Sequence, residues 1–244
     1  MRSALVLALA AACTGGVTTS LPPKPSAAGA ALPSRYVAIA GETMEFRATL
    51  RGLLVGRVQV VVGKLGWIDD PIAHARHRSV IVRSRGKSDG LVAVLASLTW
   101  ELTTTLDLDA ARSVRSVEDG EVRVAGEKPE HEHRERSYGD REQDLHGAAA
   151  VLRGWHSKLG DRAELTVMIG RLGLDVELWD AGRERVFGPD RSIAAVRYEG
   201  VVEDDYHFVL WLSDDAARVP LRLRTESKWG DITVELVGYE APLD

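Results

Sequence analysis

Only one cysteine, Cys13, occurs in the 244 residues of the chain. Its isolation excludes a disulfide framework, a thiolate metal cluster and a cysteine nucleophile in any folded domain that follows it. An excess of basic residues is also missing: formal charge is -5 and the sequence pI is about 5.8. No electrostatic footprint for nucleic acid is therefore present, and nucleic acid is not expected as a partner. The sequence carries no Gly-x-Ser-x-Gly elbow, no phosphate-binding loop, no dinucleotide fingerprint and no helical His-Glu-x-x-His pattern. Those absences point to a non-catalytic protein without a cofactor.

What is there begins at Arg2, followed by a small-and-apolar run from Ala4 to Ala12 that ends at Cys13. A positive residue, a short apolar stretch and small residues before a cleavage point define a secretory signal, and about nine apolar residues are too few to span a bilayer as a helix. Ala10-Ala11-Ala12 before Cys13 has the form of a bacterial lipobox, which makes Cys13 the expected lipidation site. The chain divides into a signal segment at 1–12, a tether at 13–40 and one domain at 41–244. Pro22, Pro23, Pro25 and Pro33 lie in the tether, where they keep the backbone extended and unpacked. The expected location is the periplasmic face of a bacterial membrane, the outer membrane being favoured because Thr14, not aspartate, follows Cys13. Without the lipid the protein would be soluble in the periplasm.

Beyond the tether the dominant pattern alternates with period two, which predicts strands that bury one face. Phe46, Ala48 and Leu50 share a side, as do Val58, Val60 and Val62. A further run surrounds Val80–Arg85. Strands are predicted over Leu98–Leu108 and over Arg112–Val124, the latter broken by the Asp119-Gly120 turn signal. Leu165, Val167 and Ile169 precede a turn at Gly170–Gly173, and Leu174, Val176 and Leu178 return as a hairpin. Phe208, Leu210 and Leu212 follow, then Leu221 and Leu223 opposite solvent-facing Arg222 and Arg224, then Ile232, Val234 and Leu236. Roughly ten strands result. Two helices are expected, at Leu91–Leu98 and at Asp144–Lys158, where Leu145, Ala149, Leu152 and Trp155 recur near one face. The charged stretch Glu127–Gln143 reads as a solvated loop.

Three candidate sites arise. His131-Glu132-His133 with His146, and His74-x-x-His77, have metal-capable side chains, but no thiolate accompanies them and the first group lies in the most hydrophilic stretch of the chain. No metal is expected there. Asp214 and Asp215 could be imagined as paired catalytic carboxylates, yet neighbours at a hairpin tip point apart and are solvated.

The segment Trp211-Leu212-Ser213-Asp214-Asp215-Ala216-Ala217-Arg218-Val219-Pro220-Leu221-Arg222 resembles the bacterial "domain of unknown function 3108" family. Phe46, Gly52 and Gly56 in the opening strand, and Asp144 before a helix containing Leu152-Arg153, extend the resemblance over roughly residues 42 to 240. Gly147 stands where a serine is common in the family. The resemblance implies an exported β-rich protein and supplies no functional residues to carry over.

These readings converge on a mainly β fold: a strongly curved antiparallel sheet or incomplete β-barrel with one or two packed helices. Similar cups in lipocalins and bacterial lipoprotein carriers accept an acyl chain, an analogy of fold alone. Three functions stay open at this level: a structural or interaction lipoprotein, a carrier of an apolar ligand such as a lipid, and a cryptic metal-dependent enzyme. A membrane, through the N-terminal lipid, is the expected partner.

Overall fold

A computed structural model describes residues 36–70, 74–139, 142–203, 206–227 and 230–242. The signal segment, Cys13 and the tether up to residue 35 lie outside the described residues. The first half of the chain forms β1 (Thr43–Leu50), β2 (Leu53–Val62), β3 (Gly66–Asp70), β4 (Ala75–Ser88), α1 (Gly90–Leu95), β5 (Ala96–Asp107), β6 (Arg112–Val124) and β7 (Glu130–Ser137). Next come β8 (Glu142–Gln143), α2 (Leu145–Gly154), β9 (Arg162–Ile169) and β10 (Leu172–Phe187). The chain closes with β11 (Ser192–Val202), β12 (Tyr206–Ser213), β13 (Pro220–Ser227) and β14 (Gly230–Glu240).

All fourteen strands of the described residues belong to one sheet, in the order β7-β6-β5-β4-β2-β1-β14-β13-β12-β11-β10-β9-β8, with β3 paired to β4 outside this path. Two antiparallel meanders are thus joined at the middle by the pairing of β1 with β14. The exception is β8, which runs parallel to β9. A parallel neighbour needs a crossover connection, and α2 is that crossover. Alternation dictates the pairing: Leu165, Val167 and Ile169 of β9 oppose Val176, Leu174 and Leu172 of β10 across a turn in which Gly170 has φ 59°.

The sheet curls around α2. On one side Ala148 and Leu152 pack with Leu178, Tyr198 and Leu212 of β10, β11 and β12. On the other, Ala150 and Val151 pack with Val62, Val80, Val82 and Leu106 of β2, β4 and β5. The helix is consequently buried around most of its circumference, not along one face, and its small residues Gly147, Ala148 and Ala150 let two walls approach it. The ring of Trp155 stacks on Tyr198 with centroids 5.2 Å apart.

Both ends of α2 are pinned. Asp144 is the N-cap, its carboxylate accepting from the Gly147 N–H at 2.8 Å, a standard way to satisfy an orphan donor of the first turn. At the other end Arg153 forms a bidentate ion pair with Glu42 just before β1, Nη2 lying 2.9 Å from Oε2, and its Nε donates to the Ala217 carbonyl at 3.0 Å. Both partners are buried, at 3% and 0% exposure.

Several expectations change. The stretch read as a solvated loop contains β7, whose charges pair with those of β6 instead of leaving the sheet: Arg115 Nη2 to Glu135 at 2.5 Å and His133 Nδ1 to Asp119 at 2.6 Å. Asp119-Gly120 is no turn, because both residues pair with β5 and β7 within an unbroken β6. The first helix is only Gly90–Leu95, since the β-rich residues from Ala96 onward pair with β6. The long helix stops at Gly154, where Trp155 turns extended to reach Tyr198. Among the described residues fourteen strands replace roughly ten: β3, β7 and β8 lack the apolar alternation that marks the predicted strands, and β11, where Arg197 and Glu199 interrupt the apolar residues, also lies outside them. Residues 36–40, read as tether, are part of the packed structure: Tyr36 is buried and the Val37 N–H bonds to the Ala150 carbonyl at 3.0 Å.

Glu42→Gln leaves the buried guanidinium of Arg153 without its counter-charge, and the expected loss of unfolding free energy is about 3–5 kcal/mol. Urea denaturation checks this. A loss of the size typical of surface pairs, below about 1 kcal/mol, would show that the pair is not the clamp.

Candidate functional site

Three strands show a change in burial along their inward-facing side. In β12 Leu212 is 1% exposed whereas Leu210 and Phe208 are half-buried. In β10 Leu178 is 0% exposed whereas Val176 and Leu174 are half-buried, and in β5 Leu106 is 0% exposed whereas Trp100 and Leu98 are half-buried. The dry part of each strand is the part beside α2. Beyond the helix the interior is a cup whose apolar wall remains accessible.

Glycines shape that wall. Trp100 of β5 lies between Gly86 of β4 and Gly120 of β6 in the strand register. A Cβ built on Gly86 would collide with the Trp100 indole, so the ring lies down over the glycine instead of standing into the lumen. Phe208 of β12 does the same over Gly200 of β11. Glycine weakens a strand, and inside one it marks a place where something approaches the backbone closely. Here that something is an aromatic plate, once on each wall.

Where the two arms of the sheet meet, the wall contains a cleft of about 120 Å³. Leu98, Trp100 and Leu102 of β5 face Met168 and Ile169 of β9 across it, and the start of α2 closes its floor. Inward-pointing polar groups of β6 and β7 form one edge: Glu118, Arg134, Arg136 and, just after β7, Tyr138. Burial raises the carboxyl of Glu118 above the ordinary range for glutamate, Arg134 opposing the shift from 3.5 Å. Burial likewise pushes the Tyr138 hydroxyl up to about 12, keeping it protonated, 2.6 Å from Ser116 Oγ. Arg136 reaches across the seam toward the Gly170 carbonyl at 3.4 Å.

Under the cleft floor lies a sealed polar network. The Asp144 carboxylate accepts from Ser113 Oγ at 2.9 Å and from Thr104. His146 Nδ1 is 2.8 Å from Thr104 Oγ1 and its Nε2 is 2.9 Å from Ser84 Oγ. Since Thr104 gives its proton to Asp144, the network assigns N–H to Nδ1 and leaves Nε2 to accept from Ser84. Burial lowers the pKa of His146, against the raising influence of Asp144, so the ring is neutral. Tyr36 donates to Gln143, and burial raises its own pKa. Gly147 is needed in this network: a side chain there would collide with Ser113, Gln143 and Tyr36. The order hydroxyl, imidazole, carboxylate resembles a nucleophile relay. Thr104 nevertheless stands between the ring and the acid, and Ser84 is buried at 3% exposure, off the cleft wall.

The residues singled out in the sequence do not come together. His131 and His133 point outward from β7 and pair with Glu121 and Asp119, and the hydrogen bond to Asp119 raises the pKa of His133. His146 is inside the sheet. His77 bonds to Asp107 at 2.9 Å, and His74 sits in a turn with φ 51°. Among the described residues no group of three or more His, Cys, Asp or Glu side chains is arranged to hold a metal. Asp215 caps the loop before β13, accepting from the Ala217 and Arg218 N–H groups at 3.0 and 3.1 Å, while Asp214 faces Arg183 at 3.6 Å. Lipidation of Cys13 lies outside the described residues. The cleft residues escaped sequence reading because cross-strand neighbours such as Gly86 and Trp100 are identified only by register. The available signal was charge at alternate positions, Glu130, Glu132, Arg134 and Arg136.

The neutral, buried His146 sets a pH response. Its folded pKa is depressed, so the unfolded chain binds the extra proton below about pH 6.5, and stability is lost as pH falls through that value by at most about 1.4 kcal/mol per pH unit. His146→Gln should flatten the stability profile between about pH 7 and about pH 5 relative to the parent protein. Urea unfolding at several pH values measures it, and parallel profiles for the two proteins would refute the assignment.

The architecture is similar to a β-barrel-like protein of the DUF1849 domain from Brucella abortus, with TM-score 0.51 and 12% identity over 85% of this chain and 100% of the other. More distant are a protein described as exported, with a YmcC-like fold, from Bacteroides fragilis (TM-score 0.41, 10% identity) and a protein described as a lipoprotein from Parabacteroides distasonis (TM-score 0.35, 8% identity). Each of these also spans 85% of this chain and 100% of its own length. No curated protein matches the sequence. A family profile matches residues 45–237, from within β1 to within β14, and the chain therefore belongs to the family "Protein of unknown function (DUF3108)".

Proposed function

We propose that this is an exported, lipid-anchored, non-catalytic protein of the bacterial cell envelope that holds an apolar molecule in the open half of its cup. The observation that carries the binding reading is the pair of aromatic plates. Trp100 and Phe208 lie flat over cross-strand glycines on the inner wall, and with Leu98 and Leu210 they stay only half-buried beyond α2. Cavities that take small molecules are concave and mostly apolar with a few placed polar groups, which is the composition of this wall and its seam. The non-catalytic reading is supported by the burial of Ser84 and His146 away from the cleft. Export and anchoring rest on Arg2, the Ala4–Ala12 run and Cys13.

For anchoring, Cys13→Ser should move the protein from the membrane fraction to the soluble periplasm, because an attached chain contributes about 0.8 kcal/mol per buried methylene. Retention in membranes after a high-salt wash would exclude Cys13 as the anchor.

For binding, protein extracted natively should carry an apolar molecule detectable by mass spectrometry, and a fluorescent fatty-acid probe should bind saturably. Gly86→Ala lifts the Trp100 ring into the lumen, with an expected loss in probe affinity of about tenfold or more, roughly 1.4 kcal/mol. The double variant Gly86→Ala/Trp100→Ala removes the obstruction and should recover most of that loss. Absence of both co-purified molecule and saturable probe binding would leave the cup without a ligand.

A further inference from the structure

The seam cleft has an unequal distribution of charge. Arg134 is held by two carboxylates, Glu118 at 3.5 Å and Glu132. Arg136, two residues along the same inward face of β7, has no carboxylate within ion-pairing distance among the described residues; its one bond is the 3.4 Å contact to the Gly170 carbonyl. A partly buried guanidinium in an apolar cleft is costly to leave without a counter-ion. Tyr138 lines the same cleft, its hydroxyl 2.6 Å from Ser116 Oγ. Leu98, Trp100, Leu102, Met168 and Ile169 supply the apolar lining, and Ser116, Glu118 and Asp144 share the polar edge and the floor.

Resting on the cup reading above, we infer that the ligand is an aliphatic acid whose carboxylate sits at Arg136 in the seam and whose chain runs along Trp100 into the lumen. The arginine fork matches a carboxylate in a bidentate, charge-assisted bond. One guanidinium with no carboxylate partner among the described residues matches one negative charge. The cleft, at about 120 Å³, is on the order of four water-sized volumes, which suits a carboxylate and its first methylenes better than a glycerophosphate head. The open wall beyond it, from Leu98 to Phe208, is apolar and suits the remainder of the chain.

Calorimetric titration of the full-length purified protein with oleate, with oleyl alcohol and with phosphatidylglycerol in detergent tests this. Oleate should bind at least about tenfold more tightly than the alcohol. Arg136→Gln should erase that preference while leaving the affinity for the alcohol within about twofold, and Arg136→Lys should keep part of it. Thermal melting of each variant confirms that the fold is intact. Equal affinity of the parent protein for acid and alcohol would overturn the carboxylate site and leave the cup reading standing. Failure of both to bind would overturn the cup reading itself. An oleate preference that survives Arg136→Gln removes Arg136 from the site, and tighter binding of phosphatidylglycerol than of oleate identifies a phospholipid head and overturns the free-acid assignment.

Discussion

The structure depends on one constraint: a helix enclosed by a sheet must have its end groups satisfied inside the protein. A helix leaves unpaired N–H groups at its start and carbonyls at its end, and burying these unmet is costly. Asp144 answers the first need with the Gly147 N–H, and its carboxylate in turn binds Ser113 and Thr104 on β6 and β5. Arg153 ties the other end to Glu42, to the loop before β13 through Ala217, and indirectly to β14, because the Tyr239 hydroxyl donates to Glu42 at 3.4 Å. These bonds reach strands far apart in the sheet order, so fixing α2 also fixes how far the sheet must bend. The arms meet because both are attached to the same ten-residue helix.

That view explains why the residues that marked the family are structural. Asp144, Leu152 and Arg153 belong to the buried helix. Ser213 and Asp215 form a hydrogen-bonded loop that presents the Ala217 carbonyl to Arg153: Ser213 Oγ accepts from the Val219 N–H at 2.7 Å and donates to Asp215 at 2.8 Å. Pro220 opens β13, where a missing N–H is tolerated. Gly147 fits the same logic, since the space a serine would take is occupied by Ser113, Gln143 and Tyr36. A recurrent motif need not border a ligand, and in this chain the motif is the joint between helix and sheet.

Legibility in the sequence followed local period. Strands with one apolar face, such as β2, β9 and β14, were readable because Val58, Val60 and Val62, or Ile232, Val234 and Leu236, repeat every second residue. The curved, mainly β class followed from them. β7 was not readable, because its inward positions are Glu132, Arg134 and Arg136, and a charged face inside a sheet looks like a solvated one until the pairing is known. Gly120 suggested a turn for the same reason: its role is to lie beside Trp100, which depends on a cross-strand register. The helix was recognised but its setting was not, although the small residues Gly147, Ala148 and Ala150 carried the information that two walls approach it. For the cleft, the alternating charges were visible and their inward direction was not.

The open half of the cup is a departure from maximal stability. Apolar surface left accessible forgoes roughly 25 cal/mol for each Å² not removed from water. Each strand-interior glycine further weakens the sheet by roughly 0.5–1 kcal/mol relative to alanine. A sequence selected for packing alone would fill the space beside Trp100 and Phe208 with branched side chains at positions 86 and 200. Instead both rings lie on glycine, and the wall retains an inward arginine at position 136 without a carboxylate partner among the described residues. Local choices that run against stability concentrate where a protein does its work. In this chain they concentrate on one inner surface, where two aromatic rings lie on glycines and one inward guanidinium has no carboxylate partner among the described residues.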